Sequence, residues 1–96
     1  MNDLIASGAL KYIREKGYSV PDDIAIAGFD NIALSSLVSP QLTTVNIPVE
    51  KIAHAAISQL IKKIQNPRVR NKDIVIETDL IIRQSTEKVT EDIIRM

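Results

Sequence analysis

Val20-Pro21-Asp22-Asp23-Ile24-Ala25-Ile26-Ala27-Gly28-Phe29-Asp30-Asn31 is the stretch from which the fold can be read. A proline-acid turn runs into residues 24–28, which are apolar throughout. That pattern predicts a strand buried on both faces of a parallel sheet. The strand delivers a glycine, an aromatic ring and a carboxylate to one loop. Open α/β sheets bind small ligands just beyond the carboxyl ends of their strands. Asp30 is therefore the first candidate ligand contact, and Phe29 a candidate to close over a ligand. No nucleophile, base and orienting group can be assembled around Asp30, so the loop suggests recognition and not a reaction.

Upstream, Asn2 or Asp3 can cap a helix whose apolar positions are Leu4, Ala6, Ala9, Leu10 and Ile13. Gly17 reads as its C′ stop. Downstream, residues 31–41 read as irregular or as one short helical turn, ended by Pro40, and Leu42-Thr43-Thr44-Val45 as a short strand. Pro48 suits position N1 of a second helix, which carries Val49, Ile52, Ala53, Ala56, Ile57, Leu60, Ile61 and Ile64 as a stripe and stops before Asn66-Pro67. A basic loop, Arg68-Val69-Arg70-Asn71-Lys72, leads to two further strands or one bent ribbon, Ile74–Glu77 and Leu80–Ile82. Residues 87–96 alternate charged with apolar residues and read as a frayed helix or a mobile tail.

The chain has 96 residues, enough for one small domain and too few for two. Its twelve basic and twelve acidic residues balance, which argues against a nucleic-acid surface. It has no cysteine, and so no disulfide or thiolate chemistry. No apolar run approaches membrane-spanning length, and residues 1–15 lack the plan of a signal peptide. His54 is the single histidine, without a second ligand for a metal. Gly28 belongs to no phosphate-binding glycine motif. The basic loop reads as a solvated surface. The pairs Asp22-Asp23 and Glu91-Asp92 have no catalytic spacing. No cofactor is expected.

Five blocks carry a resemblance. They are Asn2-Asp3-Leu4-Ile5-Ala6-Ser7-Gly8-Ala9-Leu10, Gly17-Tyr18-Ser19-Val20-Pro21-Asp22-Asp23-Ile24, Gly28-Phe29-Asp30-Asn31, Ser39-Pro40-Gln41-Leu42-Thr43-Thr44-Val45 and Ile82-Arg83-Gln84-Ser85-Thr86. In this order and spacing they resemble the C-terminal part of the effector-binding region of regulators of the lactose/galactose-repressor (LacI/GalR) family. The resemblance implies an α/β fold, a piece of the type I periplasmic-binding-protein-like fold with a mostly parallel sheet and flanking helices. It implies that residues 1–86 are the C-terminal portion of the effector-binding domain, with helix 48–65 in the other lobe, and that most of the first lobe and the DNA-binding head lie upstream.

The family also bears on the site. Asn2 and Asn46 join Asp30 and Phe29 as candidate ligand contacts. Ile47 stands where the family often has a glutamine, a departure that leaves Asn46 as a possible substitute. Leu34, Ser35, Leu37, Val38 and Pro40 resemble the part near the subunit interface, and the face of Ser7, Lys11 and Arg14 could join it. The expected function is the effector-sensing and dimerising part of a cytoplasmic transcriptional regulator. Its partners would be a small sugar-like metabolite and a second copy, with DNA reached only through the separate head and no membrane partner. The competing readings are a solute-binding protein of a transport system and a self-associating remnant that binds no ligand.

Overall fold

The computed structural model describes residues 2–87. Of the expected tail, 87–96, residues 88–96 with Glu91-Asp92 lie outside the described residues. In order come α1 (Asp3–Glu15), β1 (Ala27–Asp30), a 3-10 turn (Ala33–Ser36), β2 (Thr43–Asn46), α2 (Val49–Gln65) and β3 (Asp79–Ile81). The described residues fall into two compact units, one made of residues 2–47 and 79–87 and the other of Pro48–Thr78.

The first unit holds a three-stranded sheet of order β1-β2-β3. β1 and β2 are parallel, with Asp30 opposite Asn46, and β3 runs antiparallel to β2. Parallel neighbours need a crossover of about a dozen residues or more. Residues 31–42 supply it with the single 3-10 turn. The sheet is thus mixed where a mostly parallel one was expected.

α1 begins and ends as its sequence suggests. Asn2 is the N-cap, its side chain accepting the Ile5 N–H at 2.9 Å. Gly17, at φ +85°, is the C′ residue. Its N–H donates to Arg14 O at 2.9 Å, and the Tyr18 N–H donates to Ile13 O at 3.1 Å. This pair of bonds is a Schellman closure. The buried face runs through Asp3, Ala6 and Leu10, with Ala9 and Ile13 packed beside it. Leu4, expected on that face, is 66% exposed, because a helical period of 3.6 puts residue 3 and not residue 4 in line with residues 6, 10 and 13.

β1 starts three residues later than expected. Asp23 and Ile24 N–H both donate to Ser19 O, and Ser19 N–H donates to the Asp23 carboxylate at 2.7 Å, so residues 19–24 are held in a turn. Ile26 then bonds to Ser85 in place of β2. The strand also sits at the edge of the described sheet, and of its residues only Gly28 is buried.

The apolar core of this unit is small: Ala6, Ile26 and Leu42, with Val38 packed against it. Polar groups fill the rest. Asp3, Ser35, Thr43, Thr44 and Ser85 are all buried, and no buried side-chain nitrogen or oxygen among the described residues lacks a partner. Each bond avoids a desolvation cost of about 1–3 kcal/mol for an unpaired group.

In the second unit α2 keeps its apolar stripe, but none of its residues is buried. Pro48 is the N-cap and not N1. Residues 74–77, expected as a strand, pair with no strand among the described residues; Asp79–Ile81 alone of the expected ribbon joins the sheet. No helix among the described residues is long and apolar enough to cross a membrane.

The close approach of β1 to α1 gives a paired prediction. A Cβ on Gly28 would overlap the Asp3 carboxyl group, whereas a Cβ on Gly8 meets nothing within 4 Å. Gly28→Ala is expected to destabilise the chain by about 3 kcal/mol. Gly8→Ala should stabilise it by about 0.5 kcal/mol, as a glycine removed from a helix interior. Urea unfolding followed by circular dichroism measures both. Equal, small effects at the two glycines would show that α1 and β1 do not approach so closely.

Candidate functional site

The site is built on the carboxyl ends of β1 and β2. Asp3 fixes where α1 meets them. Its carboxyl group accepts the Thr44 hydroxyl at 2.6 Å and the Ile32 N–H at 2.9 Å. The second bond places the start of α1 at the end of β1, beside Asp30 and Asn31. Thr44 Oγ1 in turn accepts the Asn31 N–H at 3.1 Å. Of the two residues that could cap α1, Asn2 does so, and Asp3 ties three segments together.

A second group of bonds centres on Arg83. Its guanidinium donates to Ser35 Oγ at 2.9 Å, Leu42 O at 2.9 Å and Asn31 Oδ1 at 3.0 Å. The planar fork of arginine suits such divergent acceptors. Ser35 Oγ donates to Ile32 O at 2.7 Å. Asn31 then passes the arrangement on, its Nδ2 donating to Asn46 Oδ1 at 2.9 Å. Below Arg83 the chain is fastened again. Thr43 Oγ1 accepts the Arg83 N–H at 2.8 Å and lies 2.6 Å from Thr86 Oγ1. Ser85 Oγ donates to Ile26 O at 2.5 Å and accepts the Thr43 N–H at 2.8 Å.

These bonds set the chemistry of the rim. Asp30 and Asn31 have φ of +113° and +53°. Asparagine tolerates the left-handed region, but an aspartate at +113° is strained by about 1–3 kcal/mol, and such strain clusters at ligand sites. The Asp30 side chain is exposed, with no hydrogen bond to a described residue. Directly across the register, Asn46 has its oxygen occupied by Asn31, which leaves its NH2 as a donor. Asn2 has likewise committed its oxygen to the cap, leaving its NH2. The rim thus sets a carboxylate acceptor among amide donors. A hydroxyl group, at once donor and acceptor, is the complement of that set.

Three of the four expected contacts, Asn2, Asp30 and Asn46, therefore share one end of the sheet. Phe29 does not share their direction. Strand alternation turns it to the face opposite Gly28, and it is 45% exposed, neither core nor part of this rim. Among the expected interface residues, Ser35 is buried beneath Arg83, which removes it from any surface. Val38 packs on the core, Leu34 and Pro40 are half-buried, and Leu37 is 77% exposed. Sequence reasoning missed Asn31, Thr44 and Arg83. Two adjacent threonines in a short strand beside a core leucine were the available signal, since buried hydroxyls require partners.

Comparison with known proteins is consistent in one direction. Residues 1–86 match the periplasmic binding protein-like domain. The HTH-type transcriptional repressor PurR of Mannheimia succiniciproducens is 36% identical over 88 residues, covering 92% of this chain and 26% of that protein. A periplasmic binding protein/LacI transcriptional regulator from Alkaliphilus metalliredigens, solved with D-xylulofuranose, superposes with a TM-score of 0.81 at 36% identity, over 92% of this chain and 33% of that one. A LacI family regulator from Arthrobacter, solved with lactose, gives a TM-score of 0.78 at 33% identity, over 91% and 33%. The chain spans about a quarter of the length of the curated relatives it matches. On this evidence the chain belongs to the periplasmic binding protein-like domain family, in the form found in LacI-type transcriptional regulators.

Proposed function

We propose that this chain is the effector-sensing part of a DNA-binding transcriptional regulator, and that its effector is a sugar or sugar-like metabolite held at the rim of Asp30, Asn46 and Asn2. The observation that carries this reading is the pairing of Asp30 with Asn46 at the carboxyl ends of two parallel strands. There an exposed carboxylate and an oriented amide match the two faces of a hydroxyl group. Similar proteins solved with lactose and with D-xylulofuranose support the ligand class.

The reading assigns residues 2–47 and 79–87 to one lobe and Pro48–Thr78 to the other, in keeping with the two compact units. A ligand that prefers one arrangement of lobes shifts the population toward it, and that shift is the signal. The balanced charge of the chain is in keeping with DNA being read by a separate head. The role is non-catalytic and its location cytoplasmic, and the chain acts as a homodimer. Leu37, flanked by Leu34 and Pro40, is the part of the expected interface that remains for a second copy to cover.

Two outcomes are expected. In the regulator carrying this segment, Asp30→Ala should weaken the response to its sugar by about tenfold or more, as loss of a charge-assisted acceptor does, while leaving repression and the unfolding midpoint intact. A reporter assay across pentoses and hexoses reads this, and an unchanged response would take Asp30 out of the site. Leu37→Glu should shift the protein from dimer to monomer in sedimentation velocity without loss of helix content; a dimer of undiminished affinity would place the interface elsewhere.

A further inference from the structure

Three polar side chains of the first unit stand in series behind the rim. Arg83 Nη2 donates to Asn31 Oδ1 at 3.0 Å, and Asn31 Nδ2 donates to Asn46 Oδ1 at 2.9 Å. Asn46 lies across the register from Asp30. An asparagine amide has two ends of opposite character, a carbonyl that accepts and an NH2 that donates. The end that Asn46 shows to a ligand therefore depends on what holds its other end.

Arginine has several N–H donors and no acceptor, and it keeps its charge. The atom that meets its guanidinium has to be an acceptor. Asn31 thus turns its oxygen to Arg83 and its NH2 to Asn46. Asn46 in turn gives its oxygen to Asn31, and its NH2 is left over. Turning Asn46 alone would set NH2 against NH2. Turning both amides would set the Asn31 NH2 against the guanidinium. Each alternative places donor against donor and forfeits a hydrogen bond.

The guanidinium is not free to move aside from such a clash. Its Nη1 is committed to Ser35 Oγ and Leu42 O, both at 2.9 Å, and the Arg83 backbone N–H to Thr43 Oγ1 at 2.8 Å. Ser35 is fully buried, and its hydroxyl faces Ile32 O at 2.7 Å and Asn31 Oδ1 at 3.2 Å. The Asn31 backbone N–H is held by Thr44 Oγ1 at 3.1 Å. The polarity of the series is thus imposed from its buried end and delivered at the rim.

We infer that Arg83 is a positioning residue that fixes the hydrogen-bond polarity of the rim through Asn31, so that Asn46 meets a ligand as a donor and the ligand atom opposite it is an acceptor oxygen. The ligand half of this inference rests on the effector reading of the rim and adds a selectivity to it. A sugar hydroxyl or ring oxygen accepts from the Asn46 NH2. An ammonium group, which has donors only, is refused at Asn46.

Solvent exchange of the side-chain NH2 protons in the isotopically labelled full chain reads the polarity without any ligand. The Asn31 NH2 is expected to exchange slowly and the Asn46 NH2 near the rate of free asparagine. Asn31→Asp inverts the series: aspartate also tolerates the left-handed backbone at φ +53° and accepts from Arg83, but it has no NH2 to give. Asn46 then has to turn its NH2 inward, and its exchange should slow by about tenfold or more. Arg83→Met removes the donor that imposes the polarity and should draw the two exchange rates together. An Asn46 NH2 already protected in the parent chain, or unchanged by Asn31→Asp, would overturn the inference. So would an Arg83→Met variant, folded by circular dichroism, that keeps the parent pattern. In the reporter assay across pentoses and hexoses, Asn31→Asp should weaken the response to a neutral sugar by about tenfold. An undiminished response alongside inverted polarity would overturn the ligand half alone. Silence of the parent regulator toward every sugar would overturn the effector reading and leave the relay standing on its exchange rates.

Discussion

A buried carboxyl group on the first turn of α1 organises the first unit. Asp3 is fully buried, and the bonds that reach it come from neutral donors, the Thr44 hydroxyl and the Ile32 N–H. Burying such a group is costly unless its oxygens are bonded. Two features offset that cost. Charge-assisted bonds are stronger than neutral ones, and the N-terminal end of a helix carries partial positive charge that favours a carboxylate. Gly28 is required because any side chain there would occupy the space of the carboxyl group. A glycine, an aspartate and a threonine, far apart in sequence, are thereby made interdependent.

The rim inherits its geometry from this arrangement. Asp3 holds Thr44 and Ile32, Thr44 holds the Asn31 backbone, and Arg83 holds the Asn31 side chain. Asn31 is then constrained at both ends and turns the Asn46 amide outward as a donor. Asp30, one residue earlier, is carried into a strained backbone conformation that a free loop would relax. The groups of the rim are thus supported by the side chains beneath them, which is how a small site on short strands keeps its shape.

The same bonds explain why widely spaced blocks made the fold legible. Asp3, Asn31, Thr44, Arg83 and Ser85 lie in four of the five blocks that carried the resemblance, and they bond to one another or to the same segments. Those blocks mark a structural knot. Both helices and the helix stop at Gly17 could be read directly, because caps and periodicity are local. The start of β1 could not, since it depends on Ile26 choosing Ser85 over β2. Nor could the burial of Ser35, which depends on an arginine 48 residues away. The choice between Asn2 and Asp3 as the cap could not be made from sequence, because a residue at a helix start looks like a cap until the facing strand is known. The strand expected at residues 74–77 was drawn from its apolar run, but an apolar run becomes a strand only where a partner receives its backbone bonds.

The account stands on the coupling between Asp3 and Thr44, and a double-mutant cycle measures it most directly. Asp3→Ala, Thr44→Val and the double variant would be compared by urea unfolding of the full chain. If the carboxyl group and the hydroxyl form the bond that organises this unit, each single variant loses stability and the double variant loses far less than their sum, with a coupling energy of about 1.5 kcal/mol or more. Additive losses, with a coupling near zero, would mean that the two side chains act independently and that the knot is held elsewhere.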